Sequence, residues 1–336
     1  MKFDKVFLTN LPSFYKNNLF TEIAKEKSIY VIYYYHLAGD RNEDFFKGEL
    51  RFAHSFLPDG FWNKTRFLQE FFSKNLYEEL VIGGWDDKIS WIMALLSPKQ
   101  KNSCIVESSI FESQTSGIKG FIKRIFVSRL SKAYPSGKLQ AQLLDKLRFK
   151  GKKIPYGGCG LLNYQPQPPY VPRNSVKNFI YVGRLVPVKN LDLLIRVFNG
   201  KPNLHLTLVG FGEQDLELKT MAGKNITFTG AIENKDLPEY YKNADVFVLP
   251  SKSEAWGLVV EEALNNGTPV IVSNRVGCRA DLVNDNTGLV FEYDSEKSLT
   301  AAVDKICDVD YYNKLREGVS HMNFAARARH QVESFL

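Results

Sequence analysis

The stretch from Asn178 to Ser273 constrains the fold more than any other part of the chain. Short apolar runs at Asn178–Val182, Leu204–Val209, Ile226–Thr229, Val246–Leu249 and Val270–Ser273 alternate with helix-period segments at Leu191–Phe198, Leu237–Asn243 and Leu258–Asn265. Repeated strand, loop and helix units predict an α/β class with a doubly wound parallel sheet. In such a sheet the ligand sits at the carboxyl ends of the strands.

The first half shows the same alternation. Strands are expected at Lys5–Thr9, Ser28–Tyr35, Leu80–Gly83 and Ser103–Val106, and helices at Asn18–Lys25, Ile89–Leu96, Ile118–Ala133 and Ser136–Arg148. A proline-rich, aperiodic stretch from Asn163 to Pro172 reads as an extended connector. A chain of 336 residues is long enough for about two domains. We therefore expect a domain over 1–163, a linker over 164–176 and a second domain over 177–336, whose final helix can pack back on the first.

With 44% hydrophobic and 24% charged residues, the chain has material for two cores and is not of a disordered class. Cys104, Cys159, Cys278 and Cys307 lie far apart and match no metal spacing, as expected of a reduced, cytosolic protein. Met1 to Lys5 leads directly into a strand-like segment, so no secretory leader is expected. No apolar run approaches the ~20 residues of a membrane span.

The chemistry concentrates in Ser253-Glu254-Ala255-Trp256-Gly257-Leu258-Val259-Val260-Glu261-Glu262-Ala263. Glu254 falls in a loop and Glu262 in the next helix. Eight residues of separation leaves them about 80° apart on a helix, close enough to line one pocket. Gly257 permits close backbone approach, and a helix starting there offers free N–H groups near Leu258 and Val259 to an anion. The plainer reading is an acidic first turn complementing the helix dipole. A second loop, Gly183-Arg184-Leu185-Val186-Pro187-Val188-Lys189-Asn190, puts two cations after a strand-end glycine, which suits phosphate. Alone, such cations are usually just solvated, and Gly210-Phe211-Gly212 is on its own only a turn.

In order, however, these motifs resemble glycosyltransferase family 4, the retaining GT-B enzymes. The resemblance rests on Gly183-Arg184 with Lys189, Val209–Gly212, Phe228–Gly230, Ala244–Ser251, Glu254 to Glu262 and Gly267–Ile271, and covers about Phe179 to Phe291. It implies a GT-B fold, with two Rossmann-like domains facing each other across a cleft. It implies that Arg184 and Lys189 hold the donor diphosphate and stabilise the leaving group, and that Glu254 sits by the donor sugar. Glu262 would accept the ribose hydroxyls. Backbone groups of Gly183, Trp256, Gly257, Leu258 and Val259 would meet the phosphates and sugar, and Gly230, Ala231 and Ile232 would lie beside the base. Neither a metal nor a further cofactor is expected. The donor, a UDP- or GDP-linked hexose, is a substrate.

The first half departs from the family pattern. Its first strand–helix loop is Thr9-Asn10-Leu11-Pro12-Ser13-Phe14-Tyr15, without the glycine pair common there. Glu107 stands near where many members carry a catalytic His, and so is a candidate at the reacting sugar. Gly83-Gly84-Trp85-Asp86 could touch the acceptor or be a tight turn with a packed Trp. His205, His321 and His330 read as structural or exposed, with His36 and His54 outside candidates for the cleft.

The formal charge is +7, and its distribution is uneven. Ile118 to Lys153 holds eleven Lys or Arg and one acid, a local charge near +10. Within it, Ile118, Phe121, Ile122, Ile125, Phe126 and Leu130 recur at helical spacing between Lys119, Lys123, Arg124, Arg129 and Lys132. That pattern suits an anionic membrane surface, or an ordinary helix with a solvated basic face. No groove-reading motif supports nucleic acid. The reading is a cytoplasmic retaining hexosyltransferase, peripheral on the membrane, with a lipid-linked or polysaccharide acceptor. The alternatives are a GT-B epimerase or phosphorylase, or a non-catalytic nucleotide-sugar sensor.

Overall fold

The computed structural model describes residues 1–36 and 49–336. The chain divides into two compact units, one of residues 1–163 with 325–336 and one of residues 164–324.

The first unit holds a seven-stranded parallel sheet: β1 (Lys2–Thr9), β2 (Ile29–Tyr33), β3 (Ala53–Phe56), β4 (Leu76–Ile82), β5 (Asn102–Val106), β6 (Lys132–Pro135) and β7 (Lys152–Lys153), in the order β3-β2-β1-β4-β5-β6-β7. Its central strands are apolar on both faces because helices cover both. Successive side chains alternate between two cores. Val6, Leu8, Leu80 and Ile82 pack with residues of α2 (Phe61–Lys74), α3 (Lys88–Leu96), α4 (Gly117–Ser128) and α5 (Lys138–Lys146). Phe7, Val31 and Val81 pack with α1 (Phe14–Ile23) and with Val332 and Phe335 near the end of the chain. The ring of Phe335 stacks on Tyr134, 4.4 Å between centroids.

One polar group interrupts this sheet. Lys5 and Glu79, paired in register on β1 and β4, form a buried ion pair at 2.6 Å. Tyr134 donates to Glu79 at 2.8 Å and Lys132 at 3.0 Å. Burial alone would raise the Glu79 carboxyl, but Lys5 and these donors outweigh it and hold it at about 2.

Several element boundaries differ from those expected. The helix expected over Ile118–Ala133 ends at Ser128, and β6 begins at Lys132. The two run together in the sequence because both are apolar and basic, and no glycine or proline separates them. The first helix starts at Phe14 rather than Asn18. The pair β3 and α2 was not read from the sequence, since β3 is short and only partly buried.

The second unit holds a six-stranded parallel sheet: β8 (Asn178–Val182), β9 (His205–Val209), β10 (Ile226–Gly230), β11 (Val246–Leu249), β12 (Val270–Ser273) and β13 (Gly288–Phe291), in the order β10-β9-β8-β11-β12-β13. Helices α6 (Leu191–Asn199), α7 (Asp215–Met221), α8 (Leu237–Asn243), α9 (Leu258–Asn265), α10 (Arg279–Leu282), α11 (Glu296–Ile306) and α12 (Val309–Ser320) join the strands or follow the last one. Residues 164–176 are bonded into this unit. Gln165 and Asn265 exchange bonds at 2.9 and 3.0 Å, and Arg173 and Asn313 at 2.8 and 2.9 Å. Helix α13 (Phe324–Glu333) leads back to the first unit, where Gln331 accepts from the Gly160 amide at 3.0 Å.

Candidate active site

In the second sheet the chain reverses its direction of winding between β8 and β11. The loops leaving two such neighbouring strands diverge to opposite faces and open a crevice at their carboxyl ends. Lys189 comes from the loop after β8 and Glu254 from the loop after β11, and their side chains form an ion pair. Both are mostly shielded from solvent.

Local structure fixes the first of these loops. Pro187–Lys189 is a single 3₁₀ turn, and Asn190 follows in the left-handed region at φ 59°. Asn tolerates that conformation better than most residues. The buried Asn190 amide donates to the Pro250 carbonyl at 3.2 Å and to that of Tyr293 at 2.8 Å. The Lys252 amide donates to the Val188 carbonyl at 2.8 Å. These bonds hold the two loops together and set Lys189 against Glu254.

The glycines have a steric reason. A Cβ on Gly210 would lie 1.9 Å from the Gly183 carbonyl oxygen, and one on Gly212 would lie 2.2 Å from that of Leu185. The Gly210–Gly212 turn is therefore part of the support of the Gly183–Arg184 loop, which it also meets through Leu185 N–H to Phe211 O at 2.8 Å. Beneath the loop the Tyr181 hydroxyl donates to the Arg184 carbonyl at 2.8 Å. Burial pushes this phenol well up, and Glu254 pushes it further.

The loop after β11 pairs with the chain after β12. Glu254 N–H donates to Arg275 O at 3.3 Å, Gly277 N–H to Glu254 O at 3.0 Å, and Cys278 N–H to Trp256 O at 2.8 Å. Gly257, at φ 100°, then starts α9, and no side chain caps that helix. Leu258 and Val259 in its first turn are partly exposed, whereas Trp256 and Gly257 are buried. The Trp256 ring serves the core, its indole N–H donating to the fully buried Glu261 at 3.2 Å. Tyr164 also donates to Glu261, at 2.7 Å.

The adjacent Glu262 is only partly buried. Its Oε2 accepts from the Tyr241 hydroxyl at 2.9 Å. Burial raises its carboxyl to about 7, against the pull of the Tyr241 bond and with a further push from Glu261. Gly230 closes β10 at φ 73°, followed by an exposed Ala231 and a half-buried Ile232. Sequence reasoning missed Tyr181, Asn190 and Tyr241, which hold these groups in place. Among them only Asn190, a turn-prone residue directly before a helix, carries a local signal.

In the first unit, Glu107 follows β5 and pairs with Lys16 of α1 at 3.1 Å. Burial would lower the Lys16 ammonium, but Glu107 and Tyr15 raise it above its usual range. Trp85 is buried, and its carbonyl accepts from Trp91 Nε1 at 2.8 Å. His36 stacks on Phe56 at 4.1 Å, His54 bonds the Phe52 carbonyl at 2.9 Å, and His205 bonds Thr227 at 3.2 Å. Among the described residues no three His, Cys, Asp or Glu side chains are grouped so as to hold a metal ion.

The family model described as "Glycosyl transferases group 1" matches residues 169–321. A sulfoquinovosyl transferase of Arabidopsis thaliana is 36% identical over 137 residues, 39% of this chain and 25% of that protein. The first relatives found are matched over 25% to 39% of their own lengths. A sucrose-phosphate synthase from Thermosynechococcus elongatus superposes with a TM-score of 0.72 at 19% identity, covering 97% of this chain and 96% of that one. A protein of Anabaena solved with UDP and glucose gives 0.71 at 15% identity, covering 98% of each. The chain thus has a GT-B fold with two parallel sheets, and the segment of its second unit over residues 169–321 is similar to glycosyl transferases group 1.

Proposed function

We propose that this chain is a retaining glycosyltransferase that moves a hexose-type sugar from a UDP- or GDP-linked donor to a lipid-linked or polysaccharide acceptor. The observation that carries the reading is the meeting of Lys189 and Glu254 at the point where the second sheet changes winding direction, inside the segment matched to glycosyl transferases group 1. The Anabaena structure holds UDP on a similar fold. Lys189, Arg184 and the uncapped N-terminus of α9 would neutralise the leaving diphosphate. That positive charge is why turnover should not require a metal. The Lys189 ammonium, now on Glu254, would be shared with the phosphates when donor binds, leaving Glu254 to accept a sugar hydroxyl. Glu262, oriented by Tyr241, would accept from the ribose diol, and Gly230 to Ile232 would border the base. Glu107, which pairs with Lys16, is the candidate at the reacting sugar. The enzyme would work in the cytoplasm at the membrane face, where a lipid-held acceptor is found.

The first test is a panel of nucleotide sugars read by thermal unfolding. A donor at 100 times its dissociation constant adds about 2.7 kcal/mol of stability. The matching donor should then support transfer with retained anomeric configuration in the presence of EDTA. Inverted product, or activity lost to chelator and restored by magnesium, overturns the mechanism. Release of free sugar alone, or an epimerised donor, would favour the other enzyme readings.

A further inference from the structure

We propose that the outer surface of α3 and α4 is a docking face for an anionic lipid bilayer, with Ile118, Phe121, Ile122, Ile125, Leu95 and Leu96 entering the interface. The inference rests on the reading of the chain as a peripheral membrane enzyme and deepens it by naming the surface.

The sequence stripe on α4 divides in the structure. Phe126 and Leu130 are buried in the core, at 1% exposure each. Ile118, Phe121, Ile122 and Ile125 are left outside, at 80%, 61%, 44% and 42%. A helix whose inward face is already filled has no folding reason to carry four large apolar groups on its outward one. Helix α3 extends the patch, because Leu95 and Leu96 at its carboxyl end are 53% and 77% exposed. The two helices are fixed to each other. Trp91 packs on Phe126 with centroids 5.0 Å apart, and Arg129 donates to the Leu95 carbonyl at 3.2 Å.

Charge identifies the occupant. The α4 part of the patch lies in the segment with eleven basic residues and one acid. Lys119 on α4 is exposed, as are Lys146 and Lys150 in and after α5, the next helix on the same side of the sheet. Exposed aliphatic and aromatic side chains on a face that also carries cations fit the boundary between acyl chains and anionic headgroups. A symmetric dimer through this face would bring two strongly positive surfaces together, which disfavours a second copy. Lys123 and Arg124 have a different task. They donate to Ser113 at 3.0 Å and to the Thr115 carbonyl at 3.0 Å, fixing the loop that leads into α4. The charge that reaches lipid is therefore mainly on other residues of the segment.

The test is co-sedimentation of the full chain, without donor, with phosphatidylcholine vesicles with and without phosphatidylglycerol. Wild type should bind the anionic vesicles at low salt, hardly bind the neutral ones, and be largely released near 1 M salt, where the Debye length is about 3 Å. Ile118→Ser with Phe121→Ser should weaken binding by about tenfold or more, since affinity follows the apolar area buried. Lys119→Glu with Lys146→Glu and Lys150→Glu should weaken it similarly. Leu216→Ser, at a leucine of α7 that is 79% exposed, is the control and should bind as wild type. All substituted positions are exposed, and unchanged thermal unfolding confirms the fold. Absence of wild-type binding to anionic vesicles overturns the proposal. So does full binding by the Ile118/Phe121 variant, which would leave electrostatics alone. A dimer in light scattering that this variant abolishes would assign the face to a second copy instead. Because no donor is present, failure here leaves the transferase reading standing, and an absent donor response leaves the docking face standing.

Discussion

Burial raises the Glu262 carboxyl from the usual carboxylate range to about 7. The folded state therefore holds this proton more tightly than the unfolded one. Between about pH 4.5 and pH 7 the group's contribution to stability falls as pH rises, and it stays low above that window. Glu262→Gln removes the penalty. Without donor, this variant should be more stable than wild type above pH 7 by on the order of 1–3 kcal/mol, with the two converging near pH 4. Urea titrations at the two pH values check this. Donor affinity should move the other way, since an ionised Glu262 is the better acceptor. Wild-type affinity should rise through about pH 7, and the Gln variant should bind weakly with no such rise. A stability curve that Glu262→Gln leaves unaltered would remove the buried-carboxylate account. Tyr241→Phe should lower donor affinity less than Glu262→Gln does, because it misplaces the carboxylate without deleting it.

At the scale of elements, the loops matter more than the helices. Gly210 combines φ 139° with the close approach to Gly183. Gly210→Ala should therefore destabilise the fold by about 1–3 kcal/mol and weaken donor binding, by pushing the Gly183–Arg184 loop away from its support. Normal stability with normal binding would show that the two loops do not act together. The elements of the second sheet were largely legible in the sequence. Val246–Leu249, Leu237–Asn243 and Leu258–Asn265 have the bounds read from periodicity, because a buried parallel strand and an amphipathic helix each leave a clear pattern. The site was legible only as a sequence of candidate groups. That Lys189 meets Glu254, or that Glu261 is fully buried while Glu262 is only partly so, depends on a pairing across 65 residues in one case and on little more than a quarter of a helical turn in the other. In the first half, β6 was hidden inside an apparent helix because Ala133, Tyr134 and Pro135 are all buried and show no alternation.

For the whole molecule, the two units are stabilised differently. The first unit includes the Lys5–Glu79 pair inside its sheet. Its Glu79 carboxyl, depressed to about 2, contributes stability that is present above about pH 4.5 and is lost as pH falls towards 2. Glu79→Gln should flatten that acid limb in a pH series of thermal unfolding. The second unit contains the matched segment, residues 169–321, and with it the proposed donor site. The most direct test is calorimetric titration of UDP and of GDP into wild type and Lys189→Ala. The account predicts that one nucleotide binds wild type, and that Lys189→Ala binds it at least about tenfold more weakly through loss of a charge-assisted contact. If neither nucleotide binds wild type, or Lys189→Ala binds as tightly as wild type, the diphosphate is not held where Lys189 meets Glu254.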